Sequence, residues 1–297
     1  MRISEIKALM ARYGLRPAKS LGQNFLVDPL HLQQIVDAAN LHDGETVLEI
    51  GPGPGSLTER LLEVAGCVVA VELDKGFVRL LEDRFGTSPN FRLHHQDILA
   101  TDVPALLKKE GTPDPQQYKC VANIPYYITS AVIRHLLESS VQPQLLVLLV
   151  QNEVAQRITA RPGDLSLLAV GVQFYGEPEI VDTVSAGAFY PSPKVDSAIL
   201  RVRPYSEKRY QVENPDLFWA VVRAGFGQKR KQLKNSLNAG LPWFNSEQVS
   251  EALAAAGIDE KRRAQTLDIK EWVALYEEVA EVRRSLETPR ISETRRL

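Results

Sequence analysis

The 297-residue sequence holds only two cysteines, Cys67 and Cys120. Both sit in strand-like apolar surroundings. They make no disulfide framework and no zinc site, and they suit a reducing cytoplasm. Long apolar runs are missing too. The longest aliphatic stretch, Leu145 to Val150, is far short of the roughly 20 residues that cross a bilayer, so no membrane partner is expected. The opening Met-Arg-Ile-Ser-Glu-Ile-Lys has no continuous apolar h-region, and no secretory signal is expected. Histidine is scarce and carries no metal-ligand spacing. His94 and His95 are neighbours on an expected strand, so they point to opposite faces, and no metal is expected. No internal repeat is visible. Net charge is also small, with Lys+Arg 35 against Asp+Glu 37. What is present, 44% hydrophobic and 24% charged residues, is ordinary for a soluble globular protein and excludes a wholly disordered chain.

The small net charge hides an asymmetry. Residues 41–120 hold 8 Lys/Arg against 13 Asp/Glu, whereas residues 201–240 hold 9 against 3 and residues 1–30 hold 5 against 2. A basic flank beside an acidic core suggests a polyanionic partner. Charge alone equally fits a solvated helix face.

Along the chain, residues 4–13 read as an amphipathic helix, with Ile6, Leu9, Met10 and Tyr13 on one stripe and Gly14 as the stop. A linker at 19–26 follows, and a second helix starts near Asp28-Pro29. Strands and helices then alternate. Strands are expected at 46–50, 67–72, 91–94, 119–122 and 145–150, with helices at 56–64, 75–85 and 130–138 between them. Such alternation implies an α/β fold: a mostly parallel sheet with helices on both faces. Apolar runs at 167–175, 180–184 and 198–202 are closer together, as expected of antiparallel strands at a sheet edge. After Pro204 the character changes to helices at 214–226, 229–239, 246–256 and 268–283. Asp268 with Glu271 has capping-box spacing. The expected division is a catalytic domain at 1–204, a helical domain at 205–285, and a disordered tail at 286–297.

Three features carry chemistry. The first is Gly51-Pro52-Gly53-Pro54-Gly55, directly after a strand. Ligands of α/β sheets bind beyond such strand ends, and glycine lets backbone approach them. The two prolines remove two N–H donors, which argues against a pyrophosphate cradle. A plain strand-to-helix turn is the competing reading. The second feature is Glu72, which ends the next strand 21 residues beyond Gly51. A carboxylate there can accept hydrogen bonds from both ribose hydroxyls. Asp97, after the third strand, can accept from an adenine amino group. Loop, Glu72 and Asp97 together describe an adenosine pocket without a phosphate clamp, which suits S-adenosylmethionine better than NAD. The third is Asn123-Ile124-Pro125-Tyr126. The lone pair of an exocyclic adenine amine is delocalised into the ring. Two acceptors, the Asn123 side-chain oxygen and the Ile124 carbonyl, favour the tetrahedral, nucleophilic nitrogen. Pro125 fixes the turn, and the Tyr126 ring can stack on an extruded base.

With these residues in this order, the chain resembles bacterial small-subunit (16S) rRNA adenine dimethyltransferases, which are class I methyltransferases. The resemblance runs from about Lys19 to Trp272. It includes Lys19-Ser20-Leu21-Gly22-Gln23-Asn24-Phe25-Leu26, where it implies that Asn24 and Leu26 line the cofactor pocket with Gly51, Glu72, Asp97 and Asn123. Phe189-Tyr190-Pro191-Ser192-Pro193-Lys194-Val195-Asp196-Ser197 resembles the family's F-x-P-x-P-x-V-x-S motif. Phe226 to Leu237 resembles the basic helix entrance of its C-terminal domain. Ile124 replaces a commoner Leu, and Lys229 a commoner Arg. The resemblance implies a Rossmann-like seven-stranded sheet with a small all-α C-terminal domain. It implies S-adenosylmethionine as methyl donor and S-adenosylhomocysteine as product. The implied substrate is two adjacent adenosines near the 3′ end of small-subunit rRNA, methylated at N6 during ribosome assembly by a cytoplasmic monomer. Phe189, before a rigid Pro-x-Pro loop, suits pinning a flipped base opposite Tyr126; a core plug is the other reading. Lys229, Arg230, Lys231 and Lys234, expected on one or two helical turns, suit phosphate contacts.

Three rivals remain at this stage. A large-subunit rRNA adenine methyltransferase of the antibiotic-resistance type shares fold and motif, but the C-terminal helices favour the small-subunit enzyme. A non-catalytic assembly factor with a relict cofactor fold is opposed by the complete set of site residues. An NAD oxidoreductase is opposed by the loop pattern.

Overall fold

A computed structural model describes residues 3–18, 22–112 and 117–287. Its described residues divide into two units. One takes those up to Thr159 together with Tyr175–Glu207; the other takes Ala160–Phe174 and those from Lys208 onward. The boundary expected at 204 therefore misses a detour of the chain into the second unit.

The first unit opens with α1 (Ile3–Arg12), β1 (Phe25–Leu26) and α2 (Pro29–Ala39). Asp28 caps α2 by accepting from the Leu30 N–H at 3.1 Å, with Pro29 in the first turn. The alternating part follows: β2 (Thr46–Ile50), α3 (Ser56–Val64), β3 (Cys67–Glu72), α4 (Lys75–Phe85), β4 (Phe91–His95), α5 (Val103–Lys109), β5 (Tyr118–Asn123), α6 (Thr129–Leu137), β6 (Leu145–Gln151) and α7 (Asn152–Ile158). The seven-stranded sheet has the order β4-β3-β2-β5-β6-β9-β7, where β7 is Gly176–Val184 and β9 is Ser197–Pro204. The first five strands run parallel, and β9 is antiparallel to both its neighbours. β2 is buried from end to end and β6 up to Val150, as required of strands covered on both faces. From β2 the chain winds outward to β3 and β4, then returns to the other side of β2 as β5. The topological switch point thus lies between β2 and β5, and the loops carrying Gly51 and Asn123 leave the sheet there.

A two-stranded ribbon joins distant parts of this unit. β1 pairs antiparallel with β8 (Phe189–Tyr190), in the register Phe25↔Tyr190 and Leu26↔Phe189. Because side chains alternate, Leu26 and Phe189 enter the main apolar cluster with α2, α3 and the sheet. Phe25 and Tyr190 turn instead to a second cluster with Ile6 and Met10 of α1 and Phe77 and Leu80 of α4.

In the second unit, α8 (Leu167–Gln173) replaces the strand expected at 167–175. A short apolar run does not reveal its own period. Here Ser166 decides it, since its hydroxyl accepts from the Ala169 N–H at 3.2 Å and caps a helix. α9 (Pro215–Phe226), α10 (Leu233–Gly240), α11 (Ser246–Ala255) and α12 (Ile269–Glu287) follow. Asp268 and Glu271 form the reciprocal capping box, with both bonds at 2.8 Å. Trp272 is fully buried, and a Cβ on Gly225 would come 2.4 Å from its ring, so glycine lets α9 and α12 pack closely. α12 runs through Glu287, and the remainder of the tail expected to be disordered lies outside the described residues.

Candidate active site

The loop after β2 is built from positive-φ glycines, with Gly51 at +63° and Gly53 at +55°. At Gly53 space is short as well, because a Cβ would stand 2.8 Å from the Phe25 ring. All three glycine N–H groups are already used. Gly51 donates to the Val71 carbonyl at 2.9 Å and Gly55 to the Pro52 carbonyl at 3.0 Å. Gly53 donates to Glu72 Oε2 at 3.0 Å. Pro52 and Pro54 have no N–H to offer. From Gly51 to Gly55 the loop has no backbone donor left for a phosphate.

Glu72 is 6% exposed, and its Oε1 accepts from the Asp74 N–H at 2.9 Å. Burial pushes its carboxyl above the usual carboxylate range, against the pull of those backbone donors. A carboxylate offers about four acceptor positions, so two remain for hydroxyl groups of a ligand.

The switch point opens into a cleft of about 720 Å³, counting the solvent at its mouth. Asn24, Leu26, Gly51, Glu72, Asn123 and Tyr126 all line it. An adjoining chamber of about 510 Å³ shares Gln23, Gly51, Glu72 and Pro125 and reaches Asp97 and Tyr127. Asp97 is exposed; its Oδ1 accepts from the Leu99 N–H at 2.9 Å, leaving the second oxygen for a ligand. The six residues expected to hold a cofactor thus line two adjoining spaces.

Glu49 lines the cleft and was not singled out by sequence reasoning. It is 1% exposed, and its Oε2 meets no donor among the described residues. Burial, with the nearby Glu72 charge adding to it, pushes the carboxyl up to about 8. The available signal was an acid inside an otherwise uncharged, fully buried strand, two residues before the glycine loop.

At the end of β5, Asn123 Nδ2 donates to the Asn24 carbonyl at 3.1 Å. That bond orients the amide and leaves Oδ1 as its acceptor end. Ile124 is 1% exposed, and Pro125 begins a short 3₁₀ turn containing Tyr126. The Tyr126 hydroxyl lies 2.7 Å from Ser197 Oγ, a partner that the sequence did not reveal.

Two expectations require correction. Phe189 is 2% exposed within the main apolar cluster, so it fills the core and offers no ring face to a base. The basic residues do not share a helix. α9 ends at Phe226, and Lys229, Arg230 and Lys231 stand exposed on the turn before α10. The stretch 228–232 has no apolar residue to hold a helical face. Lys234, in α10, pairs with Glu260 at 3.0 Å and is already engaged. Residues 19–21 of the N-terminal motif lie outside the described residues. Among the described residues, no cluster could hold a metal ion.

The family profile described as ribosomal RNA adenine dimethylase matches residues 15–281. Ribosomal RNA small subunit methyltransferase A of Dehalococcoides mccartyi is 46% identical over 274 residues, 92% of each chain. A dimethyladenosine transferase from Plasmodium falciparum, at 26% identity, superposes with a TM-score of 0.73, covering 86% of this chain and 98% of that one. The 23S rRNA methyltransferase ErmE, at 29% identity, reaches 0.65 and covers 86% and 99%. With a family match over most of its length and relatives of this identity, the chain belongs to the ribosomal RNA adenine dimethylase family.

Proposed function

We propose that the protein transfers methyl groups from S-adenosylmethionine to N6 of two adjacent adenosines near the 3′ end of small-subunit rRNA, acting as a cytoplasmic monomer on an assembling subunit. The observation that carries this reading is Asn123: its amide is oriented by the Asn24 carbonyl, so its oxygen is the end left to receive an amine. The cofactor supplies an electrophilic methyl group on a cationic sulfonium. The cleft suits it, since its loop spends its N–H groups internally and its walls carry the acceptors of Glu72 and, in the adjoining chamber, Asp97.

Asn123 Oδ1 and the Ile124 carbonyl accept the two N–H bonds of the adenine amine and hold its nitrogen pyramidal. The amine proton becomes acidic only after attack, so no strong base is required. Tyr126 offers its ring to the extruded base. In the second unit, Lys229, Arg230 and Lys231 contact RNA phosphates. The curated relative named for small-subunit methylation, with 46% identity against 29% for ErmE, favours the small-subunit substrate.

Mass spectrometry of rRNA from cells with and without the gene tests the reading. Loss of dimethyladenosine from small-subunit rRNA supports it. Loss from large-subunit rRNA identifies the rival substrate, and no change in either overturns it.

A further inference from the structure

Resting on that reading, we propose that Ser197 is a positioning residue for methyl transfer, fixing the Tyr126 ring as the wall against which the target base is held. The ring of Tyr126 is half-buried at the cleft, while its hydroxyl shares a 2.7 Å hydrogen bond with Ser197 Oγ. Ser197 is itself immobile. It is 0% exposed, begins β9, and is paired on one side with Gln151 of β6 and on the other with Val184 of β7. Its backbone is therefore fixed at the start of a strand that is paired on both sides, and its side chain is fully buried.

A tyrosine ring has two side-chain rotations. Tying its far end to a fixed point removes most of that freedom before the base arrives, so the ordering cost is not met during binding. In the stretch 189–197, Phe189 fills the core whereas Ser197 reaches the Asn-Ile-Pro-Tyr loop. Burial pushes the Tyr126 phenol above its ordinary range, and the hydrogen bond to Ser197 offsets part of that rise.

The test is a double-mutant cycle of Ser197→Ala and Tyr126→Phe. It is read by single-turnover methylation of unmodified small-subunit particles with S-adenosylmethionine saturating. One neutral hydrogen bond predicts a loss of roughly 3- to 10-fold in rate for either single variant. The double variant should be no slower than Tyr126→Phe alone, and S-adenosylhomocysteine affinity should be unchanged throughout. Losses that multiply in the double variant, or a wild-type rate in Ser197→Ala, overturn the proposal while leaving the methyltransferase reading intact. An inactive wild-type protein refutes that reading instead. If Ser197→Ala fails to fold, Tyr126→Phe probes the same bond from its other end, and a wild-type rate there is equally fatal.

Discussion

Glu49 offers a way to weigh burial at the cleft. Its carboxyl stands at about 8 in the folded chain against an ordinary 4.5. Below pH 4.5 both folded and unfolded chains hold the proton. Between 4.5 and about 8 the unfolded chain releases it while the folded chain keeps it, so stability falls as pH rises. Each pH unit inside that window costs about 1.4 kcal/mol, and the whole window about 5 kcal/mol. Glu72, also raised, contributes a slope of the same sign. Glu49→Gln keeps the shape and removes the proton, so the variant should retain only the background slope. Between pH 5.5 and 7.5 the wild type should lose roughly 2–3 kcal/mol more than the variant. Tryptophan fluorescence cannot report this, because Trp219, Trp243 and Trp272 all belong to the second unit. Cys120 can, since it is fully buried and pairs with Leu48, next to Glu49. Its alkylation in graded urea, corrected for the thiolate fraction of a reference peptide, measures opening of that strand. Equal pH slopes in wild type and variant would refute the buried-acid account.

Three further outcomes are expected. Glu72→Ala should weaken S-adenosylhomocysteine binding by about 1.5–3 kcal/mol, the range for hydrogen bonds to a charged group; unchanged calorimetric affinity contradicts its role. Replacing Lys229, Arg230 and Lys231 by Ala should flatten the salt dependence of RNA binding by about 0.7–0.9 in slope per lost phosphate contact. Cofactor affinity should hold, and a wild-type salt slope would make the turn a solvated face. Asn123→Ala should lower the single-turnover rate by about 10²–10³, as when one preorganised polar group is deleted, with RNA affinity nearly unchanged; a wild-type rate at saturation rules out amine orientation.

The parts of the fold set by local chemistry were legible. Strand ends at Ile50, Glu72 and the Asn123 loop follow from apolar runs stopped by glycine, acid or proline, and the sheet follows from their alternation with helices. The run at 167–175 misled because its apolar character fits either period, and one serine cap settled it. The helix expected to begin at 229 begins at Leu233, because like charges without an apolar stripe do not sustain a helix. Phe189 shows another limit. Whether an aromatic before a proline loop faces ligand or core depends on which strand it pairs with, and its partner Leu26 lies more than half the chain away. Glu49 was missed because strand periodicity identifies burial but not what a buried acid meets.

Three segments far apart in sequence make one site, and the bonds between them explain why each must be present. Asn24 holds the Asn123 amide through its backbone carbonyl, so that contact depends on where the N-terminal segment lies rather than on the Asn24 side chain. That position is set by β1, whose strand partner among the described residues is β8, and β8 leads within a few residues to Ser197 on Tyr126. The 123–126 loop is thus held at one end by the segment before the sheet and at the other by the strand that closes it. Either tie alone would leave the amide or the ring free to turn. In the proposed reaction, the two ties together hold the acceptor and the aromatic wall in place, which is the condition for orienting a planar base and its amine together.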